Sequence, residues 1–235
     1  MLLKRCAQEF RNQGKRLYDR SIGLTTRAVE PYTTHVPILV GVAAACKPKL
    51  LVEFGAGTFS TLSFLDEVAF PSLQRVESYE NNREWFEHLQ KTLSNRTRIN
   101  LQFVDGDMYR AVEGANTPDA GMIFIDDSPS AKERAPTVVE VARCCGTEPV
   151  VVLHDNDLWR LRLATRKFGN RVSFKIFNPQ CCVMWHGHPE RRSIFENVSR
   201  IIYRHATDIS LTDIRAWADI FSRELPDPTS SGTQV

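Results

Sequence analysis

Leu50-Leu51-Val52-Glu53-Phe54-Gly55-Ala56-Gly57-Thr58-Phe59-Ser60-Thr61 is the stretch on which the fold reading turns. The apolar run Leu50 to Val52 suits a strand buried on both faces, as in a parallel sheet. Gly55 and Gly57 then let the backbone turn sharply and approach a ligand closely. Ser60 and Thr61 place hydroxyls near the start of the helix that should follow. Strand, glycine turn and helix in that order build a nucleotide-type ligand site. Ser60 stands where the dinucleotide pattern G-x-G-x-x-G has its third glycine, so the stretch departs from that fingerprint.

Downstream, Thr61 to Phe70 reads as a helix, and Leu73 to Glu80 reads as a second strand. Its last residue, Glu80, lies 25 positions beyond Gly55, close to where a ribose-binding carboxylate sits in β-α-β nucleotide folds. The alternation continues: Arg83 to Leu93, Ile99 to Val104, Tyr109 to Glu113, Gly121 to Asp126, Ala131 to Cys145, Val150 to His154 and Leu158 to Phe168. Such alternation predicts an α/β fold, a doubly wound, Rossmann-like, mostly parallel sheet with helices on both faces. After Gly169, Val172 to Phe177 and Cys181 to Trp185 are separated only by Asn178-Pro179-Gln180, which demands a final antiparallel hairpin.

Ligands in open α/β sheets lie outside the carboxyl ends of the strands, and here those ends are acidic. Glu53 follows the first strand, Glu80 the second, Asp105 and Asp107 the third, Asp126 and Asp127 the fourth, and Asp155 the fifth. One aspartate is readily explained as a helix cap, but the same excuse at all five ends is far less economical.

Glu53, the Gly55-x-Gly57 turn with Ser60-Thr61, and Glu80 together resemble the class I S-adenosylmethionine-dependent methyltransferases, across roughly Tyr32 to His186. The resemblance implies that Glu80 holds the ribose and that the Gly55 to Ser60 turn, with Gly57 and Thr61, passes beside the methionine part. Asp105-Gly106-Asp107-Met108 would flank the adenine. Glu53 either orders the turn or meets the cofactor's ammonium group through water. Phe124-Ile125-Asp126 and Val152-Leu153-His154-Asp155-Asn156 resemble the small-molecule O-methyltransferases of the catechol type. In those enzymes an aspartate after strand four and an Asp-Asn pair after strand five bind magnesium, which here implies Asp126, Asp155 and Asn156 as ligands. That family places a lysine base shortly after the first aspartate; this chain has Asp127-Ser128-Pro129-Ser130, with Lys132 only later. The metal-free alternative uses His154 or Asp126 as base, so Asp126, His154 and Asp155 are the candidate catalytic residues. His35, in the segment Tyr32-Thr33-Thr34-His35 that can close over the ligand, is a further candidate.

Composition narrows the field. A chain of 235 residues with 42% hydrophobic and 25% charged residues suits one globular domain. The expected organisation is N-terminal helices over 1–48 covering the sheet edge or the active site, a cofactor-binding core over 49–190, C-terminal helices over 191–225 and a disordered tail over 226–235. A net charge of +2 argues against a nucleic-acid partner, and the basic run Lys4, Arg5, Arg11, Lys15, Arg16, Arg20 reads as a solvated helix face. No signal-peptide core follows Met1, and His35 to Cys46 is too short to span a membrane, so a cytoplasmic protein is expected. Six cysteines without C-x-x-C spacing suggest reduced thiols.

The leading reading is therefore a methyltransferase acting on a small-molecule acceptor at oxygen, as a monomer or homo-oligomer. RNA or protein methyl transfer is an alternative. Asp127-Ser128-Pro129-Ser130 lacks the second proline and the aromatic of base amino-methyltransferases. A non-catalytic binding module of the same fold, and a nicotinamide oxidoreductase, remain the other classes.

Overall fold

A computed structural model describes residues 31–94, 96–128 and 130–226. The part of the expected N-terminal helices over 1–30, and all of the expected tail except Pro226, lie outside them.

The sheet has seven strands in the order β3-β2-β1-β4-β5-β7-β6. They are β1 (Leu50–Phe54), β2 (Arg75–Glu80), β3 (Ile99–Phe103), β4 (Met122–Ile125), β5 (Val150–Leu153), β6 (Asn170–Phe174) and β7 (Cys181–Trp185). The first five pair in parallel, while β7 lies antiparallel between β5 and β6. Chain order reverses between β1 and β4, and the crevice beyond their carboxyl ends is the natural ligand position of such a sheet. This is the mostly parallel, Rossmann-like architecture with an antiparallel hairpin that the sequence predicts.

Strand composition explains the layering. β4 and β5 are buried at every position, as strands covered on both faces must be. On one face, Val52, Phe54, Ile123, Ile125, Val151 and Leu153 form a cluster with Val138 and Val141 of α4 (Ala131–Cys144) and Leu161 of α5 (Trp159–Ala164). The other face carries α1 (Val36–Cys46), α6 (Arg191–His205) and α7 (Ile214–Glu224). Gly41 sets how closely these three pack. A Cβ there would come within 2.6 Å of both Phe221 and Val198.

Four expected elements differ. In place of a helix over Thr61 to Phe70, one helical turn, α2 (Thr58–Thr61), ends where that helix should begin, and a 3-10 turn, Ser63–Leu65, follows. Asp66 ends it, its carboxylate accepting the backbone N–H groups of Val68 and Ala69 in place of a helical ladder. Tyr109 to Glu113 falls within the 3-10 turn Met108–Gly114, and the helix expected to Phe168 is α5 followed by the 3-10 turn Thr165–Lys167. β6 begins two residues earlier and ends three earlier than predicted. The Gln180 carbonyl accepts from Asn156 N–H at 2.8 Å, which ties the joint to the end of β5, so Phe174 becomes the partner of Cys181. By contrast, α3 (Arg83–Leu93) and β7 fall where the sequence puts them. No described helix is long and apolar enough to cross a membrane.

Candidate functional site

The end of β1 is shaped by its glycines. Gly55 has φ of +90°, and a Cβ on it would lie 2.4 Å from the Asp126 carbonyl carbon and oxygen. Only glycine lets the turn press against the end of β4. Gly57 N–H donates to the Thr61 hydroxyl at 2.9 Å, and that hydroxyl donates to Glu53 Oε2 at 2.7 Å. The Ser78 hydroxyl donates to the same oxygen. Glu53 is fully buried, and burial pushes its carboxyl up to about 7 against the pull of the Ser60, Ser78 and Thr61 hydroxyls. Glu53, Ser60 and Thr61 thus brace the turn from inside.

Outside the turn, a cleft of about 460 Å³ runs along the carboxyl ends of β1, β2 and β4. Ala56, Glu80, Asn82, Trp85, Met108 and Asp126 line it, together with Asp107. Glu80 is 7% exposed, and one carboxylate oxygen accepts Asn82 N–H at 2.7 Å. Burial raises its carboxyl above the ordinary range, partly offset by backbone N–H donors. Asn82 also caps α3 through Trp85 N–H, and Trp85 Nε1 donates to the Ala56 carbonyl at 2.7 Å, fastening α3 to the glycine turn. Asp105 is exposed and does not line the cleft.

At the ends of β4 and β5 the carboxylates meet a residue that sequence reasoning missed. Arg134, 2% exposed on the first turn of α4, lies 2.7 Å from Asp126 Oδ1, 3.0 Å from Asp155 Oδ2 and 3.5 Å from Asp127 Oδ1. It also donates to the carbonyls of His154 and Ser128. Burial raises the Asp126 carboxyl, but the His154 contact and Arg134 outweigh it and hold the group below its ordinary value. Asp127, accepting from the Thr137 hydroxyl, is pushed up to about 6 by burial. Asp155 has φ of +59°, the left-handed conformation that aspartate tolerates better than most residues.

His154 is the hinge of a second arrangement. Its Nδ1 lies 3.2 Å from Asp126 Oδ2 and its Nε2 lies 2.9 Å from Thr34 Oγ1. His35 sits beside it, ring centroids 4.9 Å apart and edge-on. Both His35 ring nitrogens are buried without a hydrogen-bond partner among the described residues. Burial first, then His154, lowers its pKa to about 3, so the ring is neutral.

Of the predicted residues, Glu80, Asp107, Met108 and Asp126 therefore meet at the cleft. Asp126, His154 and Asp155 meet around Arg134. Asn156 is apart from that cluster: its N–H goes to Gln180, and its buried Oδ1 has no partner among the described residues. The magnesium implied by resemblance does not fit Asp126, Asp155 and Asn156, because the guanidinium already lies between the two carboxylates.

No family model matches the sequence, and no curated protein matches it significantly. Solved structures do match. A protein of Staphylococcus aureus assigned as a caffeoyl-CoA O-methyltransferase is 11% identical, with a TM-score of 0.52, over 80% of this chain and 100% of the other. The methyltransferase domain of bacterial CtHen1-C is 13% identical, with a TM-score of 0.50, over 68% and 100%. A spermidine synthase in complex with the transition-state analogue AdoDATO is 16% identical, with a TM-score of 0.52, over 88% and 75%. At these identities the likeness is one of fold: the chain has the class I S-adenosylmethionine-dependent methyltransferase fold.

Proposed function

We propose that the chain is an S-adenosylmethionine-dependent methyltransferase that transfers its methyl group to an oxygen of a small-molecule acceptor. The observation that carries this reading is the cleft at the switch point. Its lining joins the buried carboxylate of Glu80 on β2, Ala56 of a glycine turn whose Gly55 has no room for a side chain, and Asp126, behind which His154 is paired. Glu80 would hold the ribose hydroxyls, the turn Gly55 to Ser60 would run beside the methionine part, and Asp107 and Met108 would border the adenine. Bound S-adenosylmethionine supplies a methyl on a positively charged sulfur, an electrophile that needs an aligned nucleophile and removal of its proton. The proton would pass to His154 through Asp126, which lines the cleft 3.2 Å from Nδ1 and would stabilise the imidazolium that forms. Asp155 pairs with Arg134, which also holds the lining carboxylates Asp126 and Asp127. The small net charge favours a small-molecule acceptor over RNA.

Calorimetry with S-adenosylmethionine, its demethylated product and NAD tests the proposal. Binding of the two adenosyl ligands in preference to NAD is expected. Glu80→Ala should remove charge-assisted hydrogen bonds, each worth about 1.5–3 kcal/mol, and weaken binding at least about tenfold. NAD binding with no affinity for either adenosyl ligand would overturn it.

A further inference from the structure

The face of Asp126 turned away from Arg134 has a composition unlike the rest of the cluster. His35, Asp126 and His154 each bring one nitrogen or oxygen atom to within 4.8 Å of the others. Asp126 Oδ2 and His154 Nδ1 are 3.2 Å apart, near the edge of about 3.4 Å that two ligands of a tetrahedral ion share when each bond is about 2.1 Å. His35 completes the group with a buried imidazole whose nitrogens have no hydrogen-bond partner among the described residues. Leaving buried polar atoms unpaired costs free energy, and so indicates a ligand.

We propose that His35, Asp126 and His154 form a binding site for one divalent transition-metal ion of the zinc and cobalt class. Ligand chemistry selects that class, since imidazole nitrogen favours borderline ions while magnesium prefers an all-oxygen shell. Two of the three ligands already have the outer partners that orient metal-binding side chains. The second nitrogen of His154 faces Thr34 Oγ1 at 2.9 Å, and the second oxygen of Asp126 is held by Arg134 at 2.7 Å. Charge agrees as well. Three carboxylates, of Asp126, Asp127 and Asp155, converge on the guanidinium of Arg134, a setting that favours a further cation. Ligand atoms as far apart as 4.8 Å must close by up to about 1.4 Å to share a tetrahedral ion with bonds of about 2.1 Å. His35 is the residue to move, because it lies at the start of α1 and its ring nitrogens have no bonds to break. An ion there would occupy Nδ1 of His154, the nitrogen that faces Asp126, and would acidify a bound hydroxyl directly.

The test uses the untagged full chain, stripped with chelator and titrated with Co²⁺ in the absence of any adenosyl ligand. A 1:1 saturating ligand-field absorption, displaced by Zn²⁺ and untouched by excess Mg²⁺, is expected. His35→Ala, checked for folding by circular dichroism, should weaken Co²⁺ binding at least about tenfold. X-ray absorption of the Zn²⁺-loaded wild type, which needs no variant, should show two imidazoles and no sulfur. Failure of Co²⁺ to saturate, undiminished binding by folded His35→Ala, or a sulfur ligand would each overturn the site. None of these readouts involves methyl transfer, so a failed metal site and a failed methyltransferase assignment are distinguishable.

Discussion

Replacing Arg134 by methionine keeps most of the buried volume and removes the guanidinium that, among the described residues, contacts Asp126, Asp127 and Asp155 together. The guanidinium side chain is 3% exposed, so water cannot take over its role. Breaking a buried ion pair from one side costs about 3–5 kcal/mol, because the remaining charge is left uncompensated. With a urea slope of about 3 kcal/mol/M for a chain of this size, the unfolding midpoint at pH 8 should fall by roughly 1–1.7 M. The sign of the pH effect follows from the carboxylates. Arg134 helps to hold Asp126 below its ordinary pKa, a contribution present above that ordinary value and lost as pH falls through the lowered one. Asp127, already pushed up to about 6, becomes protonated near pH 5 and removes one of the repelling charges. The deficit of Arg134→Met should therefore be smaller at pH 5 than at pH 8, by at least about 1 kcal/mol. Urea titrations followed by circular dichroism and tryptophan fluorescence at the two pH values measure it. A loss below about 1 kcal/mol at pH 8 would refute the contact, and an equal deficit at both pH values would refute its electrostatic cause.

Three further outcomes are expected. Gly55→Ala should lower stability by at least about 2 kcal/mol and abolish adenosyl-ligand binding, read by thermal unfolding and calorimetry, because φ of +90° and the 2.4 Å approach to Asp126 leave no place for a methyl group. Glu53 has its folded pKa raised to about 7 from 4.5, so its protonated form stabilises the fold at low pH and that stability drains away as pH rises from 4.5 through 7. Glu53→Gln should accordingly flatten the stability profile over that window, and an unchanged slope would count against the buried carboxyl. Trp85→Phe should cost about 1 kcal/mol for the lost bond to the Ala56 carbonyl. It should also remove most of any fluorescence change on ligand binding; a full signal in the variant would mean that another tryptophan reports on the cleft.

Legibility in the sequence followed the range of the interactions concerned. Leu50 to Phe54 and Cys181 to Trp185 declare themselves because a strand buried on both faces has to be apolar at nearly every position, which is a local property. Glu53 breaks that rule and was visible as an anomaly, but its partners Thr61 and Ser78 come from two other elements. Thr61 to Phe70 looks helical by spacing; the loss of helix comes from the Asp66 side chain competing for backbone N–H groups, which periodicity does not weigh. Asp126 and Asp155 could be assigned to one end of the sheet from topology. Their cation could not, since Arg134 sits among ordinary helix residues in Lys132-Glu133-Arg134 and only folding turns it inward. A usable signal was present: several carboxylates converging on a dry site require a cation, and an arginine one turn into the next helix is the nearest supply.

The placement of β7 between β5 and β6 also has a consequence for biosynthesis. As the chain leaves the ribosome, β1 to β5 can assemble first, and Val150–Leu153 is then an apolar rim with its backbone groups open on one side. That rim stays open until residues 181–185 are made, because the strand that seals it is the last of the sheet to be synthesised. An incomplete product ending near Gly169 would carry a sticky edge suited to pairing with a second chain, and so would be a target for chaperones and proteases. Once sealed, the rim is taken by β6, whose exposed Arg171 and Ser173 alternate with buried Val172 and Phe174, and the finished molecule presents a polar border in place of the apolar one.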